Sequence, residues 1–452
     1  MLLRAFSLGS LLACGAALAA EAPPSSRPLA IVQGTVLDGL GGPPLPDGVV
    51  LIRGGRIEAV GPASSVAVPA DAAVVDARGK TVLPGLADLH VHLQGGWNGV
   101  DNDLLGYQRY LDALLYAGVT TVFDTGNYAP FILQLRQEVA AGRVRGPRIY
   151  CVGAMVDSAD AAWPDLAYAV SSRALLPEMV RRGKQARVDM LKGYVNLSDR
   201  MLRRLVEEGR REGLRVVVDQ WERNGSPDLV ATGIAGFAHM PTRPMSDGDV
   251  RAMKAGGVFA VTTLTVRESF ARTRLGDPAL HGEPLVADTA PPWFLSELRA
   301  DSARALTEVE TAARERAAAA LAEAGRNVVK LLAAGVLLAA GTDAPYPGVF
   351  QGEGLHRELE LLVAAGLTPL QALRLATHDA ARVLHADGEW GSLRPGLKAD
   401  VLVVSGRPHE RISDTRRVHV VVKDGRIVDR AALRFDARRD GGYRAVPGLF
   451  DP

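Results

Sequence analysis

The central part of the chain alternates short apolar runs with longer stretches in which apolar residues recur at helical spacing. The stretches 199–212 and 355–366 have this amphipathic spacing, which is typical of helices packed on one side. Alternating strands and helices indicate a parallel sheet, and eight repeats indicate a (β/α)8 TIM-like barrel over residues 83–385. The predicted strands cover residues 83–92, 119–124, 147–153, 188–194, 214–221, 234–239, 257–263 and 336–343.

The two ends of the chain have a different pattern. Residues 28–82 and 386–435 contain short β-like runs separated by Gly, Pro and Asp, with the turn Asp424-Gly425 near the second end. We predict that both ends join in one small β-sandwich domain. Predicted strands seven and eight are separated by a polar loop, 265–293, and a helix, 296–324, which we expect to cover the barrel mouth.

The first residues resemble a signal peptide. Arg4 precedes a mostly apolar stretch, and Ala17-Leu18-Ala19 is a small-x-small cleavage signal. We therefore predict that residues 1–20 are removed and that the protein is periplasmic or secreted. The alternative is a lipoprotein signal, LLACG at residues 11–15, which would put a lipid anchor on Cys14 but has an atypical Leu at its second position.

Composition narrows the classes of partner. Apolar residues make up 47% of the chain and charged residues 23%, which is an ordinary globular composition. The net charge of +1 argues against nucleic acid or an acidic membrane as the main partner. No segment after the leader resembles a membrane span, so we expect a small-molecule substrate; a homo-oligomer stays open. Because Cys14 lies in the leader, Cys151 has no intrachain disulfide partner.

Candidate chemistry lies at the predicted strand ends. The first strand ends in His90-Val91-His92, and alternate residues of a strand share a face, which places the two imidazoles about 6–7 Å apart along the strand. Two such imidazoles can chelate one metal ion. Active sites of these barrels lie at the carboxyl ends of the strands. The later strands end near Lys192, Asp219, His239 and Asp343, whose nitrogen and oxygen atoms suit Zn²⁺ and similar ions.

At these residues the chain resembles the metal-dependent amidohydrolase superfamily, close to its imidazolonepropionase-like and Xaa-Pro-dipeptidase-like branch. The shared pieces are PGLADLHVH, the lysine in MLKGYV, the histidine that ends strand six, AGTDAP and the later segment ELELLVAAGLTPLQALRLATHDAARVL. The resemblance covers nearly the whole chain after the leader. It implies the barrel with a small β-domain, and hydrolysis of amide or cyclic amide bonds by metal-activated water.

The resemblance implies a role for each matched residue. His90, His92 and Asp343 would hold one divalent ion, Lys192 would be carboxylated and bridge two ions, and His239 would hold the second ion and polarise the substrate carbonyl. Asp343 would act as general base and then acid. A carbamate forms on a neutral amine, so lysine can serve here and arginine cannot; the chain has only 7 Lys against 45 Arg. Zinc is the expected metal, with manganese or iron as alternatives.

The chain departs from the family at strand five, where Asp219 replaces the usual histidine ligand. A carboxylate can bind a metal ion, but it is shorter than an imidazole, makes the site less positive and favours harder ions such as Mn²⁺. Three outcomes stay open: a binuclear site with Asp219 as ligand, a single-metal site, or a weakened site. Glu222, just beyond the strand, is an alternative carboxylate ligand.

Two classes of function follow. The first is a metal-dependent hydrolase of carbon–nitrogen bonds, with dipeptides or N-acyl amino acids as expected substrates and esters or lactones as alternatives. The second is a non-hydrolytic small-molecule-binding descendant with a degraded second metal site. Tyr194 is a candidate hydrogen-bond donor to substrate and Arg267 a candidate clamp for a substrate carboxylate, with barrel-wall packing and a solvated loop position as the alternatives. His356 and Glu358 are expected to support the site from behind.

Overall fold

The structure is a computed structural model that describes residues 27–219 and 227–440. The predicted leader, including Cys14, and Glu222 lie outside these described residues. Short 3-10 turns cover Pro164–Leu166, Arg173–Leu175, Phe270–Arg272, Leu280–Gly282, Ile412–Arg416 and Ala431–Leu433.

The strands fall into one mixed sheet and two parallel sheets. They are β1 (Leu29–Val36), β2 (Leu45–Arg53), β3 (Arg56–Pro62), β4 (Ala73–Asp76), β5 (Lys80–Pro84), β6 (Leu86–Val91), β7 (Val119–Asp124), β8 (Arg148–Cys151), β9 (Met155–Ser158), β10 (Ala167–Val170), β11 (Leu191–Gly193), β12 (Val216–Val218), β13 (Gly236–Phe237), β14 (Phe259–Val261), β15 (Leu338–Ala339), β16 (Val401–Ser405), β17 (Val418–Lys423) and β18 (Arg426–Ile427).

The helices lie mainly between the strands of the parallel sheets. They are α1 (Tyr107–Tyr116), α2 (Ala129–Ala140), α3 (Leu176–Gln185), α4 (Asp199–Glu212), α5 (Pro227–Val230), α6 (Asp247–Gly256), α7 (Leu264–Ser269), α8 (Pro284–Ala287), α9 (Pro292–Ser302), α10 (Glu308–Ala333), α11 (Glu353–Ala365), α12 (Pro369–Leu375), α13 (His378–Val383) and α14 (Ala437–Asp440). Within the described residues, none of these helices is both long enough and apolar enough to cross a membrane.

The mixed sheet joins the two ends of the chain. Its strand order is β18-β17-β16-β5-β1-β2-β3, with β4 beside β1. The connection runs through β5, which pairs parallel with β1 and antiparallel with β16. Alternating apolar residues of these strands, such as Ile31, Val82 and Val403, bury one common face. The expected small β-domain made from both chain ends is therefore confirmed.

The parallel strands form a ring. One sheet has the order β6-β7-β8 and the other β10-β9-β11-β12-β13-β14-β15. At one seam the Asp189 N–H donates to the Cys151 carbonyl at 2.9 Å; at the other, the Leu89 N–H donates to Ala340 at 3.0 Å and the Asp343 N–H to His90 at 2.8 Å. The first bond links β8 to the residues before β11, and the other two link β6 to the residues after β15, as the predicted barrel requires.

Side chains fill the inside of the ring. Leu89, Phe123, Met190 and Phe259 belong to one buried cluster that also includes Trp390 and the apolar face of α13. A barrel packed in this way has a solid interior. Polar side chains are therefore left at its carboxyl-terminal rim, where the strands end.

Two predicted elements, the strand 83–92 and the helix 296–324, have other boundaries in the structure. The first predicted strand, 83–92, is divided at Gly85: Leu83 and Pro84 belong to β5 of the mixed sheet, and the barrel strand β6 begins at Leu86. A Cβ atom at residue 85 would lie 2.2 Å from Thr120 Oγ1, so the chain passes from one sheet to the other where only a glycine fits.

The predicted helix 296–324 is in fact two helices, α9 and α10. They are separated at Thr307, whose side chain and that of Glu310 form a capping box that starts α10. The apolar face of α9 packs against Trp97 and Phe350 beside the barrel mouth. The sequence has helical spacing throughout 296–324, but the capping box sets the beginning of α10.

The barrel and the mixed sheet are joined by an ion-paired arginine. Arg148, the first residue of β8, contacts Asp400 and Asp424, each at 2.7 Å. Its side chain is 14% exposed and that of Asp400 is 5% exposed. Asp424 lies in the β17–β18 turn. The three charged groups therefore connect the start of a barrel strand to the far edge of the mixed sheet.

We predict that Arg148→Met lowers the free energy of unfolding by about 1–3 kcal/mol, because buried Asp400 loses its nearer cation and keeps only Lys423, whose Nζ atom is 3.7 Å away. The matched control is Arg53→Met, whose partner Glu58 is 42% exposed and whose loss should cost about 0–1 kcal/mol. Urea denaturation measures both. Equal small effects would show that Arg148 does not hold the two parts together.

Candidate functional site

His90 and His92 stand at the carboxyl end of β6 with one ring nitrogen each fixed from behind. His90 Nδ1 lies 2.8 Å from the Ala238 carbonyl oxygen, and His92 Nδ1 lies 2.7 Å from the Gly126 carbonyl oxygen. A carbonyl can only accept a hydrogen bond, so both Nδ1 atoms carry the proton. Each Nε2 therefore points into the ring of strands, where it can carry a proton toward Asp343 or, in the neutral ring, offer its lone pair to a metal ion.

Asp343 lies between these two histidines. Its Oδ1 atom is 3.1 Å from His92 Nε2 and 3.3 Å from His90 Nε2. The backbone of Asp343 has φ +65°, a left-handed conformation that Asp tolerates better than most residues. Within the described residues, His90 Nε2 is buried and accepts no hydrogen bond. A buried imidazole nitrogen placed in this way beside a carboxylate fits the ligand set of a divalent metal ion.

His239 approaches from β13. Its Nδ1 atom lies 2.9 Å from Thr263 Oγ1, and its Nε2 atom lies 3.4 Å from Asp219 Oδ2 and 3.9 Å from Asp343 Oδ2. Thr263, directly before α7, has φ +43°, which is strained for a β-branched residue. Strain of this kind persists where surrounding contacts fix the backbone.

The strained segment around Thr263 is held by Glu358 of α11. This carboxylate accepts hydrogen bonds from the Leu264 N–H at 3.0 Å and the Thr265 N–H at 2.7 Å. Glu358 thus supports the hydroxyl group behind His239, as expected. His356 does not: its ring contacts Thr415 and the Ala117 carbonyl, away from the site.

Lys192 and Asp219 form a buried pair. Lys192 lies in the middle of β11 and Asp219 directly follows β12, and their Nζ and Oδ2 atoms are 3.2 Å apart. Their side chains are 1% and 0% exposed. The residue that departs from the family pattern is thus the ion-pair partner of the lysine that the resemblance expects to be carboxylated.

The two carboxylates of the site are ionised. Burial raises the pKa of Asp343, but the nearby rings of His90, His92 and His239 outweigh this and lower it well below its usual range. Burial likewise raises the pKa of Asp219, and the charges of His239 and Lys192 lower it further than burial raises it. Both groups are therefore bases and potential ligands at neutral pH.

The sequence reasoning missed two buried residues beside the predicted ligands, Asp88 and Asp124. Asp88 accepts hydrogen bonds from the Thr342 hydroxyl at 2.7 Å and the His90 N–H at 3.2 Å, and burial raises its pKa to about 7. Asp124 accepts from the Leu93 N–H at 2.9 Å. A signal existed in both cases, because Asp88 precedes His90 by two residues on the same strand face and Asp124 ends β7.

A cavity of about 730 Å³ opens above these residues. Tyr194, a predicted substrate-binding residue, lines it, with the Lys192 ammonium 5.2 Å from its ring centroid. Burial and the charges of Asp219 and Asp343 raise the Tyr194 pKa, so its phenol keeps its proton. Arg267 is buried in α7 and does not line the cavity; its guanidinium carbon is 5.5 Å from the ring of Phe270.

The predicted ligand residues therefore lie together. The potential ligand atoms of His90, His239 and Asp343 lie within 4.8 Å of one another, and His92 and Asp219 touch the same group. Imidazole nitrogens and carboxylate oxygens are the donors that zinc and related ions prefer. With each Nδ1 fixed from behind, the residues present fit a divalent metal ion.

Comparisons with known proteins agree with this geometry. The amidohydrolase family model matches residues 81–428. The imidazolonepropionase of Geobacillus kaustophilus (strain HTA426) is 26% identical over 435 residues, covering 84% of this chain and 90% of that enzyme.

Solved structures share the fold. A putative prolidase from Bifidobacterium longum has a TM-score of 0.70 at 24% identity and covers 92% of this chain and 98% of its own. A Xaa-Pro dipeptidase with bound methionine has a TM-score of 0.70 at 21% identity, with 89% and 100% covered.

The hydroxyl group behind His239 should matter for metal affinity. We predict that, with bicarbonate present, Thr263→Val lowers the affinity of the protein for the zinc ion that has His239 as a ligand about 10–100-fold, because a hydrogen bond to the far nitrogen orients a ligating imidazole. Thr263→Ser keeps the hydroxyl group and should restore affinity. Competition with a chelating dye measures both; equal affinities of Thr263→Val and the unmodified protein would contradict the role of this contact.

Proposed function

The chain belongs to the amidohydrolase family, and we propose that it hydrolyses a carbon–nitrogen bond of a small molecule with a divalent metal ion, zinc, held by His90, His92 and Asp343. The observation that supports this most strongly is the common direction of the histidine Nε2 atoms around Asp343. The imidazolonepropionases and the Xaa-Pro dipeptidase that the chain resembles are, by their names, enzymes that act on such bonds. A divalent ion supplies Lewis-acid polarisation and a nucleophile at neutral pH.

Asp343 is the proposed proton carrier. Its Oδ1 atom is engaged by His90 and His92, whereas its Oδ2 atom is 3.9 Å from His239 Nε2. We assign the proton of the attacking water to Oδ2, because the ionised carboxylate can accept it there and pass it to the leaving nitrogen. The phenol of Tyr194, which stays protonated, donates a hydrogen bond to the substrate carbonyl.

Lys192 decides whether a second ion binds. A protonated lysine is the natural partner of Asp219 at 3.2 Å, whereas a carboxylated lysine is an anion and a metal ligand. We propose that carboxylation of Lys192 replaces the ion pair and lets Asp219 and His239 hold the second ion. Without carboxylation, the site takes one ion. If the protein is instead a non-hydrolytic binding protein with a degraded second metal site, it would have neither the carboxylated lysine nor the second ion.

We predict that chelation abolishes hydrolysis of a panel of amides, cyclic amides and dipeptides, and that zinc restores it. Asp343→Asn should lower kcat about 10²–10⁴-fold, the usual contribution of a general acid–base group. Asp71→Asn, on an exposed loop of the mixed-sheet part, is the control. A zinc-loaded protein that hydrolyses no member of the panel, or an Asp343→Asn variant that keeps full kcat, would contradict the proposed function.

We predict that bicarbonate raises the zinc content from one to two ions per chain in the unmodified protein. Lys192→Arg keeps the positive charge beside Asp219 but cannot be carboxylated, so it should stay at one ion. Elemental analysis gives the ratio, and the carbamate carbon in NMR with labelled bicarbonate gives an independent signature. Equal zinc content in both proteins at every bicarbonate concentration would leave Lys192 as an ion-pair partner.

Asp219→His restores the ligand type usual in the family. It also removes the ion-pair partner of Lys192, which frees the amine for carboxylation. This variant should therefore reach two zinc ions at lower bicarbonate than the unmodified protein. For the Lys192→Arg experiment, the control is Lys184→Arg at an exposed position of α3, which should bind zinc as the unmodified protein does.

A further inference from the structure

His92 lies where the chain leaves the barrel. It follows the last residue of β6, and the loop 93–106 then leads to α1. The side chain of His92 is 19% exposed, whereas that of His90, inside the strand, is 0% exposed. The position of the His92 ring therefore depends on contacts made beyond the end of the strand.

The buried carboxylate of Asp124, at the end of β7, makes such contacts. Among the described residues, three nitrogen donors bond to it. Its Oδ2 atom accepts from the Leu93 N–H at 2.9 Å and from the Asn127 side chain at 2.7 Å, and its Oδ1 atom accepts from the Gly126 N–H at 3.2 Å. The backbone carbonyl of Asp124 accepts from the Val152 N–H at 3.0 Å. Asp124 is thus fixed in the barrel while its side chain holds residues beyond the strand ends.

Two of these donors bear directly on His92. Leu93 follows His92 in the chain, so the bond to its N–H fixes the peptide group that leaves the predicted ligand. Gly126 supplies the carbonyl oxygen that lies 2.7 Å from His92 Nδ1, so the bond to the Gly126 N–H fixes the loop that orients the ring. One carboxylate therefore restrains both the backbone and the ring of His92.

We infer that Asp124 is a positioning residue for His92, because it holds the His92 backbone and the Gly126 loop in the arrangement that directs His92 Nε2 toward Asp343 and the divalent ion. The inference rests on the proposed function in taking His92 as a ligand of that ion. Asp124 acts through the backbone and not as a ligand itself. Groups that orient a ligating imidazole from behind typically change metal affinity about 10–100-fold.

Asp124→Asn tests the inference, because the amide has the size of the carboxylate but carries a donor in place of one acceptor. An amide nitrogen at the Oδ1 position would face the Gly126 N–H, and one at the Oδ2 position would face the Leu93 N–H. Either orientation loses a contact that holds His92. We expect the affinity for the first zinc ion, measured without bicarbonate by competition with a chelating dye, to fall about 10–100-fold.

Asp157→Asn is the matched control. Asp157 is also buried near a strand end, in β9, and it accepts from the N–H groups of Ser158, Ala162 and Asn196 at 2.9, 3.1 and 2.9 Å. None of these residues is next to a predicted metal ligand in the chain. Both variants should lower the temperature of thermal unfolding of the metal-free protein, whereas zinc affinity should fall in Asp124→Asn alone. Unchanged zinc affinity in Asp124→Asn, or an equal loss in both variants, would overturn the inference.

Asn127→Ala replaces Asp124→Asn if that variant does not fold. It leaves the carboxylate in place but removes the side-chain amide that bonds to Asp124 Oδ2. The zinc affinity should then fall about two- to tenfold, which corresponds to the loss of one hydrogen bond. A folded Asn127→Ala variant that binds zinc as the unmodified protein does would also overturn the inference.

Hydrolysis of the substrate panel separates this inference from the proposed function. At saturating zinc, Asp124→Asn should approach the kcat of the unmodified protein, because a positioning residue acts through the bound ion; a kcat that stays low would overturn the inference. If zinc affinity falls as expected but the zinc-loaded unmodified protein hydrolyses nothing, the inference stands and the proposed function fails. If the panel is hydrolysed and Asp124→Asn binds zinc unchanged, the proposed function stands and the inference fails.

Discussion

The site depends on hydrogen bonds that fix the far nitrogen of each histidine. His90 and His92 donate from Nδ1 to backbone carbonyls, and His239 meets the hydroxyl group of Thr263. These partner atoms lie just beyond the ends of other barrel strands, so each ring is oriented only when the strands stand in the right order. Glu358 extends this dependence outward, because it fixes the strained segment that carries Thr263.

The charges around Asp343 determine its ionisation state. Burial alone would favour a neutral carboxyl group, yet three imidazoles converge on Asp343 and keep it ionised. On the other side of His239, Lys192 and Asp219 are both buried and charged, and each offsets the desolvation cost of the other. Two buried anions can thus lie within reach of one histidine.

The sequence predicted the strand-end residues because their positions follow from the two-residue period of a strand and from the barrel rule. It did not predict their partners. The contact between His90 and Ala238 joins residues 148 positions apart, and no local pattern encodes such a contact. Boundaries failed for a related reason: the 83–92 run is continuous in hydropathy, but Gly85 lets its two halves enter different sheets.

Asp219 affects both the charge of the site and the set of atoms that could bind a metal ion. Histidine at its position would leave Lys192 without a carboxylate partner and make the site more positive by one charge. With Asp219 present, the charges of Lys192 and Asp219 cancel, and the remaining anion, Asp343, is directed at His90 and His92. The cavity above these residues is lined by aromatic rings, such as those of Trp163 and Phe270, together with the amide side chains of Gln94, Asn102 and Asn196. One carboxylate after strand five therefore determines both the set of potential ligand atoms and the charge at the floor of the cavity.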